Sequence, residues 1–200
     1  MAYIDVEGLK EYMGSTGTGS SGVMATCITA AQKEIERLAH RTFEQETSGT
    51  RYYRNDDLLD LPEVGGSGSV LWLGEDCLAV TTLTNGDDTG TAISSTGYWL
   101  EPVGRPPYQY IRLKSSESWV FGTDGQIAMS ANWGFSSAPD AAIVELTKQL
   151  ASYLFRMRDN PVYDVTATPE LGMITIPKGM VQHVSYVLEN GGYIRKVGIL

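Results

Sequence analysis

The sequence predicts an α+β protein in which helical segments flank a strand-rich middle. Apolar residues recur at three- and four-residue steps near the start of the chain and again in its last third, which is the spacing of amphipathic helices. Between these segments, short stretches of alternating polar and apolar residues are separated by turn residues, a pattern typical of an antiparallel sandwich or small barrel. The 22 glycines among 200 residues also favour many turns. This length is enough for one substantial core with a smaller module.

Two helices are predicted at the start of the chain. The first covers residues 5–13, where the Asp5 side chain can accept hydrogen bonds from the first free backbone amides. The second covers residues 23–42 and ends in positive charge, including Arg41, which suits the negative end of the helix dipole. Phe43 follows, and we expect it to enter the core as the chain turns outward. The apolar face of the second helix consists of Ile28, Ala31, Ile35 and Leu38.

Strand signals dominate residues 50–133. Alternation in YQYIRL, for example, places Tyr108, Tyr110 and Arg112 on the face opposite to Gln109, Ile111 and Leu113, as expected for a strand with one solvent-exposed and one buried face. An Asn-Gly pair at residues 85–86 indicates a tight turn. The predicted strands are a segment around Tyr52, residues 58–62, two strands within 70–88, and residues 97–102, 108–113 and 126–134.

A sharp turn is predicted where the last strand meets the next helix. Gly134 permits the turn, and Trp133 and Phe135 flank it as large apolar side chains. Pro139 is then expected at the first helical position, where its missing N–H has no cost. The periodicity predicts that this helix continues to about residue 158.

The last segment of the chain has a different character. Residues 162–177 are predicted to be extended because they are punctuated by prolines, and residues 178–190 form a short amphipathic helix. Residues 178–200 are locally basic, with Lys178, Arg195 and Lys196 against Glu189 alone, and they end in an apolar sequence. Such a segment suits docking on an acidic partner surface. The alternative is that helix 178–190 packs on its own chain.

Composition and charge exclude several functions. The net charge of −9 repels phosphate, so sequence-specific nucleic-acid binding is not expected. The apolar runs are too short to cross a membrane, and the acidic N-terminal sequence does not resemble a signal peptide, so we expect synthesis in the cytoplasm. Two cysteines, Cys27 and Cys77, are too few for a disulfide framework or a zinc site.

No catalytic constellation is recognisable in the sequence, so no enzymatic activity, cofactor or metal is predicted. His40 and His183 are not near a nucleophile motif, and the pairs Asp56-Asp57 and Asp87-Asp88 do not match a calcium-binding loop. One alternative remains open, a ligand- or carbohydrate-binding β-module of a virion or cell-surface protein. It would use the aromatic residues Trp72, Tyr98, Trp99, Tyr108 and Tyr110, which are otherwise core or cross-strand residues.

Three features of the sequence occur in a characteristic order. The first is a short helix, a loop and a long helix ending in Arg41-Thr42-Phe43. The second is the Trp-Gly-aromatic turn, small residues, a proline and a long helix, here NWGFSSAPDAAIVELTKQLASYLFRMRDNP. The third is a terminal segment that follows the Arg-rich helix end at Arg156 and Arg158. Together they resemble the head–tail connector, or adaptor, family of tailed bacteriophages.

The resemblance covers residues 1–45 and 125–200 and implies a helical-bundle core without enzymatic activity. Residues 50–125 depart from the compact family members, so they would be an inserted β-domain. The implied organisation is an N-terminal part of the core (1–46), the inserted domain (47–130), a long helix that completes the core (131–161) and an extended C-terminal docking tail (162–200).

The resemblance also implies partners and a location. In the family, copies form a ring under the portal protein, typically of twelve, which extends the DNA channel and carries the next neck or tail-completion protein. Genomic DNA would pass through without specific binding, and the protein would lie at the head–tail junction of the virion after synthesis in the host bacterial cytoplasm. The expected interface residues are Met180, Val184, Tyr186, Val187, Leu188, Tyr193, Ile194, Arg195 and Lys196.

Overall fold

A computed structural model describes residues 2–15, 17, 20–60, 69–86, 90–121, 126–159 and 178–195. Its described residues form helices and one antiparallel sheet, so the predicted α+β class is confirmed. The chain divides into two compact units. Residues 1–41 and 139–200 make up a helical unit, and residues 42–138 make up a β unit. The extended segment predicted at 162–177 and the chain after Arg195 lie outside the described residues.

The described part of the helical unit contains four α-helices. Helix α2 packs on α3, α1 contacts both of them, and α4 contacts α2. Their apolar stripes meet in a core that is closed to solvent, as the periodicity requires. The helices are α1 (Val6–Met13), α2 (Ser21–Ala39), α3 (Ala141–Asp159) and α4 (Lys178–Asn190). Their large buried residues include Leu9, Met24, Ile28, Ile35, Ile143, Leu146, Leu150, Val184 and Leu188.

Helix α2 ends earlier than its periodicity predicts. The last helical residue is Ala39, because His40 adopts a left-handed conformation with φ of 53°. The backbone N–H of His40 donates a hydrogen bond to the Glu36 carbonyl, and this ends the helix. Arg41 therefore lies beyond the helix, and its amide also reaches the Glu36 carbonyl at 3.3 Å. The prediction that Arg41 occupies the last helical turn is wrong.

Helix α3 begins later than predicted. Oδ1 of Asp140 accepts hydrogen bonds from the amides of Ala142 and Ile143, both at 3.0 Å, so Asp140 is the N-cap and Ala141 is the first helical residue. Pro139 consequently precedes the cap instead of occupying the first helical position. The side chain of Asp140 satisfies amides that the helix itself leaves free, and this decides where the helix starts.

The described strands of the β unit belong to one sheet. The pairing order is β1-β7-β3-β6-β5, with β2 and β4 also paired to β3. The sequence predicts an antiparallel sandwich or small barrel, and the described strands pair as one antiparallel sheet in which β3 pairs with β2, β4, β6 and β7. The strands are β1 (Glu46–Arg54), β2 (Leu58–Asp60), β3 (Ser69–Asn85), β4 (Thr91–Ala92), β5 (Tyr98–Glu101), β6 (Tyr108–Leu113) and β7 (Gln126–Trp133).

Strand β3 is continuous over 17 residues, where the sequence predicts two strands. Gly74, with φ of 67°, lies where the pairing with β6 shifts register between Trp72 and Cys77. Before this irregularity β3 pairs with β2 and β6; after it β3 pairs with β6 at Cys77 and with β7 and β4. The glycine bends the strand without ending it, as a bulge does.

One apolar cluster fills the β unit. Its fully buried members come from the central strands and include Leu71 and Cys77 of β3, Ile111 of β6, and Ile127 and Met129 of β7. Tyr53 is buried in the same cluster, and its hydroxyl donates to the Leu73 carbonyl at 3.2 Å. Burial of Cys77 raises the pKa of its thiol to about 12, so this cysteine is a core residue and not a reactive thiolate.

Candidate functional site

Helix α4 is held against the helical unit by its buried face and by polar contacts. Val184 is 1% exposed and Leu188 is fully buried. Nε2 of His183 lies 3.0 Å from Oε1 of Gln149 on α3. The backbone amide of Arg195 donates to the carbonyl of Ala39, at the end of α2, at 2.8 Å. The segment after α4 is therefore part of the packed helical unit up to residue 195.

The turn after α4 brings Tyr193 to the start of α3. Gly192 adopts φ of 69°, and the Tyr193 amide donates to the Leu188 carbonyl at 2.9 Å, which ends the helix. The Tyr193 phenol then donates to Oδ2 of Asp140. Burial, with the hydrogen bond and the negative charge of Asp140, raises the pKa of Tyr193 to about 12. The phenol stays protonated at neutral pH and remains a donor.

The predicted interface residues fall into different environments. Val184, Leu188 and Arg195 are buried within this chain, as expected if α4 packs on its own unit. In this conformation their side chains cannot contact a partner. Tyr186 is 66% exposed on the opposite side of α4. Half-buried positions are Met180, Val187, Tyr193 and Ile194, whereas Lys196 lies outside the described residues.

A second cluster forms at the glycine turn after β7. The Gly134 amide donates to the Asp76 carbonyl at 2.8 Å, and the Phe135 amide donates to the Thr42 carbonyl at 3.0 Å. Gly134 has φ of 128°, and a Cβ there would lie 2.5 Å from the Glu44 carbonyl oxygen. Only glycine fits this close approach of two backbones.

Aromatic side chains close this turn. Phe43 is 1% exposed, and its ring meets that of Phe135 edge to face at a centroid distance of 5.6 Å. The Trp133 indole donates to the Gly49 carbonyl at 2.7 Å, and the guanidinium of Arg51 lies 5.3 Å from the centre of the Trp133 rings. The turn at Gly134 is thus fixed to the start of the β unit by hydrogen bonds and ring contacts.

Of the residues predicted to form the corner, four lie together in this cluster: Phe43, Trp133, Gly134 and Phe135. Arg41 and Pro139 belong to the helical unit. The sequence did not indicate that Asp140 accepts a hydrogen bond from Tyr193. An aspartate directly before an apolar-periodic segment is a helix-start signal, so its capping role was readable, but its tertiary partner was not.

The β unit also carries an aromatic groove at its β5 end. Trp99 is 50% exposed, and Nζ of Lys114 lies 4.1 Å from the centre of the Trp99 rings. The open groove beside it has a volume of about 550 Å³ and is lined by residues that include Ser95, Thr96, Val103 and Tyr108. Among the other aromatic candidates Tyr98 is buried in the core, whereas Trp72, Tyr108 and Tyr110 are half-buried.

The described ranges hold neither a metal-binding cluster nor a membrane-spanning helix. No three side chains among His, Cys, Asp and Glu come close enough together there to hold a metal ion. None of the described helices combines the length and apolar character that crossing a membrane requires.

The described residues thus form a two-unit α+β protein whose candidate sites are the outer side of α4 and the groove beside Trp99. Neither a scan against protein-family models nor a search of curated proteins finds a match to this chain. A search of solved structures does find matches.

Two chains of gene transfer agent (GTA) particles are similar to this one in fold. The first belongs to the neck of an empty GTA particle, computed with C6 symmetry; the match has a TM-score of 0.60 and 15% identity, covering 99% of this chain and 92% of that one. The second belongs to the virion of a native GTA particle, with a TM-score of 0.55, 17% identity and the same two coverages, 99% and 92%. The similarity therefore includes both units of the fold.

Proposed function

We propose that this protein is a structural subunit of a virion neck, a head–tail adaptor that forms a ring under the portal. The observation that carries the proposal is the fold similarity over 99% of this chain to a chain of a GTA particle neck. It is supported by the order of sequence features that resembles the adaptor family of tailed bacteriophages. One of these likenesses compares backbones and the other compares residues.

In this proposal the four helices are the helical-bundle core of the adaptor, and the β unit is an insertion in it. The proposed segmentation along the sequence is 1–46, 47–130, 131–161 and 162–200, and the compact β unit covers residues 42–138. Copies related by rotation would meet through different surfaces on their two sides, which closes a ring without an exposed end. The C6 symmetry of the similar neck is compatible with a dodecamer.

The ring would extend the DNA channel and carry the next neck or tail-completion protein. A net charge of −9 favours this role, because an acidic lumen does not hold the phosphate backbone as DNA slides through. The protein would act by contact and need no cofactor. It would be made in the host cytoplasm and be located at the head–tail junction of the virion.

The surface proposed to meet the portal or a neighbouring copy is the outer side of α4. Tyr186 is its most exposed large residue, and tyrosine contributes strongly to protein interfaces because it combines a large apolar body with a polar tip. Met180 and Val187 are half-buried on the same helix. The buried Val184, Leu188 and Arg195 would pack behind this surface, and Lys196 stays a predicted interface residue outside the described part of the chain.

The first experiment is electron microscopy of lysates from a phage or particle producer that lacks this gene. The proposal predicts DNA-packed or leaking heads beside free, complete tails, with joined particles restored by the gene in trans. Joined particles in the deletion lysate would remove the protein from the head–tail junction. Joined particles that fail only in adsorption would move its function to the host surface.

A second experiment tests the α4 surface. Deleting the chain from Pro177 would also remove the buried Val184 and Leu188, so point variants are the sharper choice. We expect Tyr186→Ala to weaken binding to purified portal rings at least tenfold, whereas Tyr12→Ala, which alters an exposed tyrosine on α1, should bind normally. Equal binding by both variants would exclude this side of α4 from the interface.

A further inference from the structure

We propose that the β unit contains a binding site for acidic saccharides, formed by Trp99, Lys114 and the groove beside them. This inference does not depend on the adaptor role, because every residue of the site belongs to the β unit. Tyr98, Leu100 and Tyr108, which also pack in or on the apolar cluster, line part of this groove. The ligand is a uronic acid oligomer, free or as part of a cell-surface polysaccharide.

The first observation is the position of Trp99. Its neighbours on β5, Tyr98 and Leu100, pack against the apolar cluster, so strand alternation directs Trp99 to the other face of the sheet. There its side chain is 50% exposed. Together with Val103, which is 64% exposed, it offers an apolar platform at the surface. An exposed indole provides the flat surface on which the C–H face of a pyranose ring can stack.

The second observation is the environment of Lys114. Its ammonium lies 4.1 Å from the centre of the Trp99 rings, and no carboxylate in the described ranges forms an ion pair with it. Because the lysine stem is flexible, a sugar ring can replace the ammonium over the indole, and the ammonium can then meet a carboxylate at the edge of that sugar.

The third observation is the groove itself. Its volume of about 550 Å³ lies within the range of about 300–1,000 Å³ that is common for small-ligand sites. Ser95 and Thr96 line it, and their hydroxyls can exchange hydrogen bonds with sugar hydroxyls. An open groove admits a chain that continues beyond the site at both ends, as an oligosaccharide does. The groove thus combines an apolar platform, hydroxyl groups and one ammonium group. These groups complement a pyranose ring that carries a carboxylate.

Two other occupants fit less well. Nucleic acid would need several cations along a backbone track, and Lys114 is the only lysine or arginine that lines the described groove. A second copy of this chain would also cover Trp99, but it would leave the hydroxyl-lined part of the groove without a specific role. Self-association through this surface is therefore an outcome that the experiment must distinguish from saccharide binding.

The test uses the full chain and two probes, a short galacturonic acid oligomer and the neutral galactose oligomer of equal length. Binding is measured by titration calorimetry and by the change in tryptophan fluorescence. We expect saturable binding of the acidic oligomer, weakened at least tenfold in Trp99→Ala. Lys114→Gln should weaken binding of the acidic oligomer and leave the weaker binding of the neutral oligomer unchanged. Tyr52→Ala is the matched control, because Tyr52 is also 50% exposed but lies on β1, outside the groove.

Circular dichroism and the unfolding midpoint establish that each variant is folded before it is titrated. Two results would overturn the proposal: no saturable binding of either oligomer to the native chain, or equal binding by Trp99→Ala and the native chain. If sugars do not bind and Trp99→Ala alone loses self-association in sedimentation, the groove is an interface between copies. In that case the saccharide site is wrong while the adaptor role stands.

Discussion

Asp140 and Tyr193 lie 53 positions apart in sequence, and the phenol of Tyr193 donates a hydrogen bond to the carboxylate of Asp140. The same carboxylate caps α3 through its other oxygen, which accepts from the amides of Ala142 and Ile143. One side chain thus fixes both the first turn of α3 and the turn after α4. The packing of α4 within the helical unit depends on this link as well as on its buried apolar face.

Removal of the Tyr193 hydroxyl tests the link. Tyr193→Phe should destabilise the packed position of α4 by about 1 kcal/mol, because a charge-assisted hydrogen bond is lost at a partly exposed site. The measurement is hydrogen exchange of the α4 amides, which should become faster while exchange in α3 changes little. Tyr186→Phe is the control, since the Tyr186 side chain lies 66% exposed on the outer side of α4. Equal exchange in the two variants would show that the link contributes nothing.

The raised pKa of Tyr193 predicts that the unfolding free energy depends on pH at the alkaline end. Its ordinary value is 10.0 and its folded value is about 12, so the folded state binds the phenol proton more tightly. The resulting stabilisation is complete below pH 10 and is lost as the pH rises through about 12. The difference in unfolding free energy between the native chain and Tyr193→Phe should shrink over this window. A constant difference would contradict the assignment.

Glu36 should make the unfolding free energy depend on pH at the acid end, with the opposite sign. Burial alone would raise its pKa, but hydrogen bonds from Lys33, Gln32 and Tyr3 outweigh burial and lower the pKa below the ordinary 4.5. The stabilisation is therefore present above that ordinary value and is lost as the pH falls through the folded one.

We expect Glu36→Gln to lose this acid-dependent part of the stability. The control is Glu34→Gln, which removes a carboxylate paired with Arg37 at 2.6 Å on the surface of the same helix. A surface pair of this kind contributes about 0–1 kcal/mol. Denaturant unfolding at a series of acid pH values should show the flatter profile for Glu36→Gln. If the profile of Glu36→Gln matches that of the native chain, the carboxylate does not contribute in this way.

Gly134 should tolerate no side chain. In Gly134→Ala the new Cβ would lie 2.5 Å from the Glu44 carbonyl oxygen, at a φ of 128° that other residues rarely adopt. We expect a loss of about 2 kcal/mol or more in the unfolding free energy. Gly104→Ala is the matched control, because Gly104 has φ of 69° and its new Cβ would meet nothing within 4 Å. It should lose only the conformational part, about 1 kcal/mol. Similar losses would mean that the close approach at Gly134 relaxes without cost.

Trp133 should stabilise the β unit through its indole N–H as well as its rings. Trp133→Phe keeps an aromatic side chain but loses the 2.7 Å hydrogen bond to the Gly49 carbonyl and part of the packing in a site only 2% exposed. We expect a loss of about 1–3 kcal/mol in denaturant unfolding. In Trp99→Phe, where the ring is 50% exposed, the stability should change by less than about 0.5 kcal/mol. The interpretation is wrong if the two variants unfold alike.

The sequence by itself determined the elements whose patterns are local. The predicted 178–190 helix coincides with α4, and the predicted 108–113 strand coincides with β6, because a helical face and a strand alternation are set by spacing within the segment. The prediction of Asp5 as the cap of α1 is also confirmed, since its side chain accepts from the Gly8 amide at 2.7 Å. Capping needs only residues three positions apart.

Only the tertiary structure decided features that depend on distant partners. The sequence predicts two strands within 70–88, but β3 is continuous across Gly74 because neighbouring strands pair with it on both sides of the register shift. Val184 and Leu188 are predicted interface residues, with packing on their own chain as the alternative, and both side chains are buried inside the helical unit. The Asp140–Tyr193 link and the Lys114–Trp99 contact join side chains that local spacing does not relate. Periodicity fixes which side of an element is apolar, and the folded chain decides what that side meets.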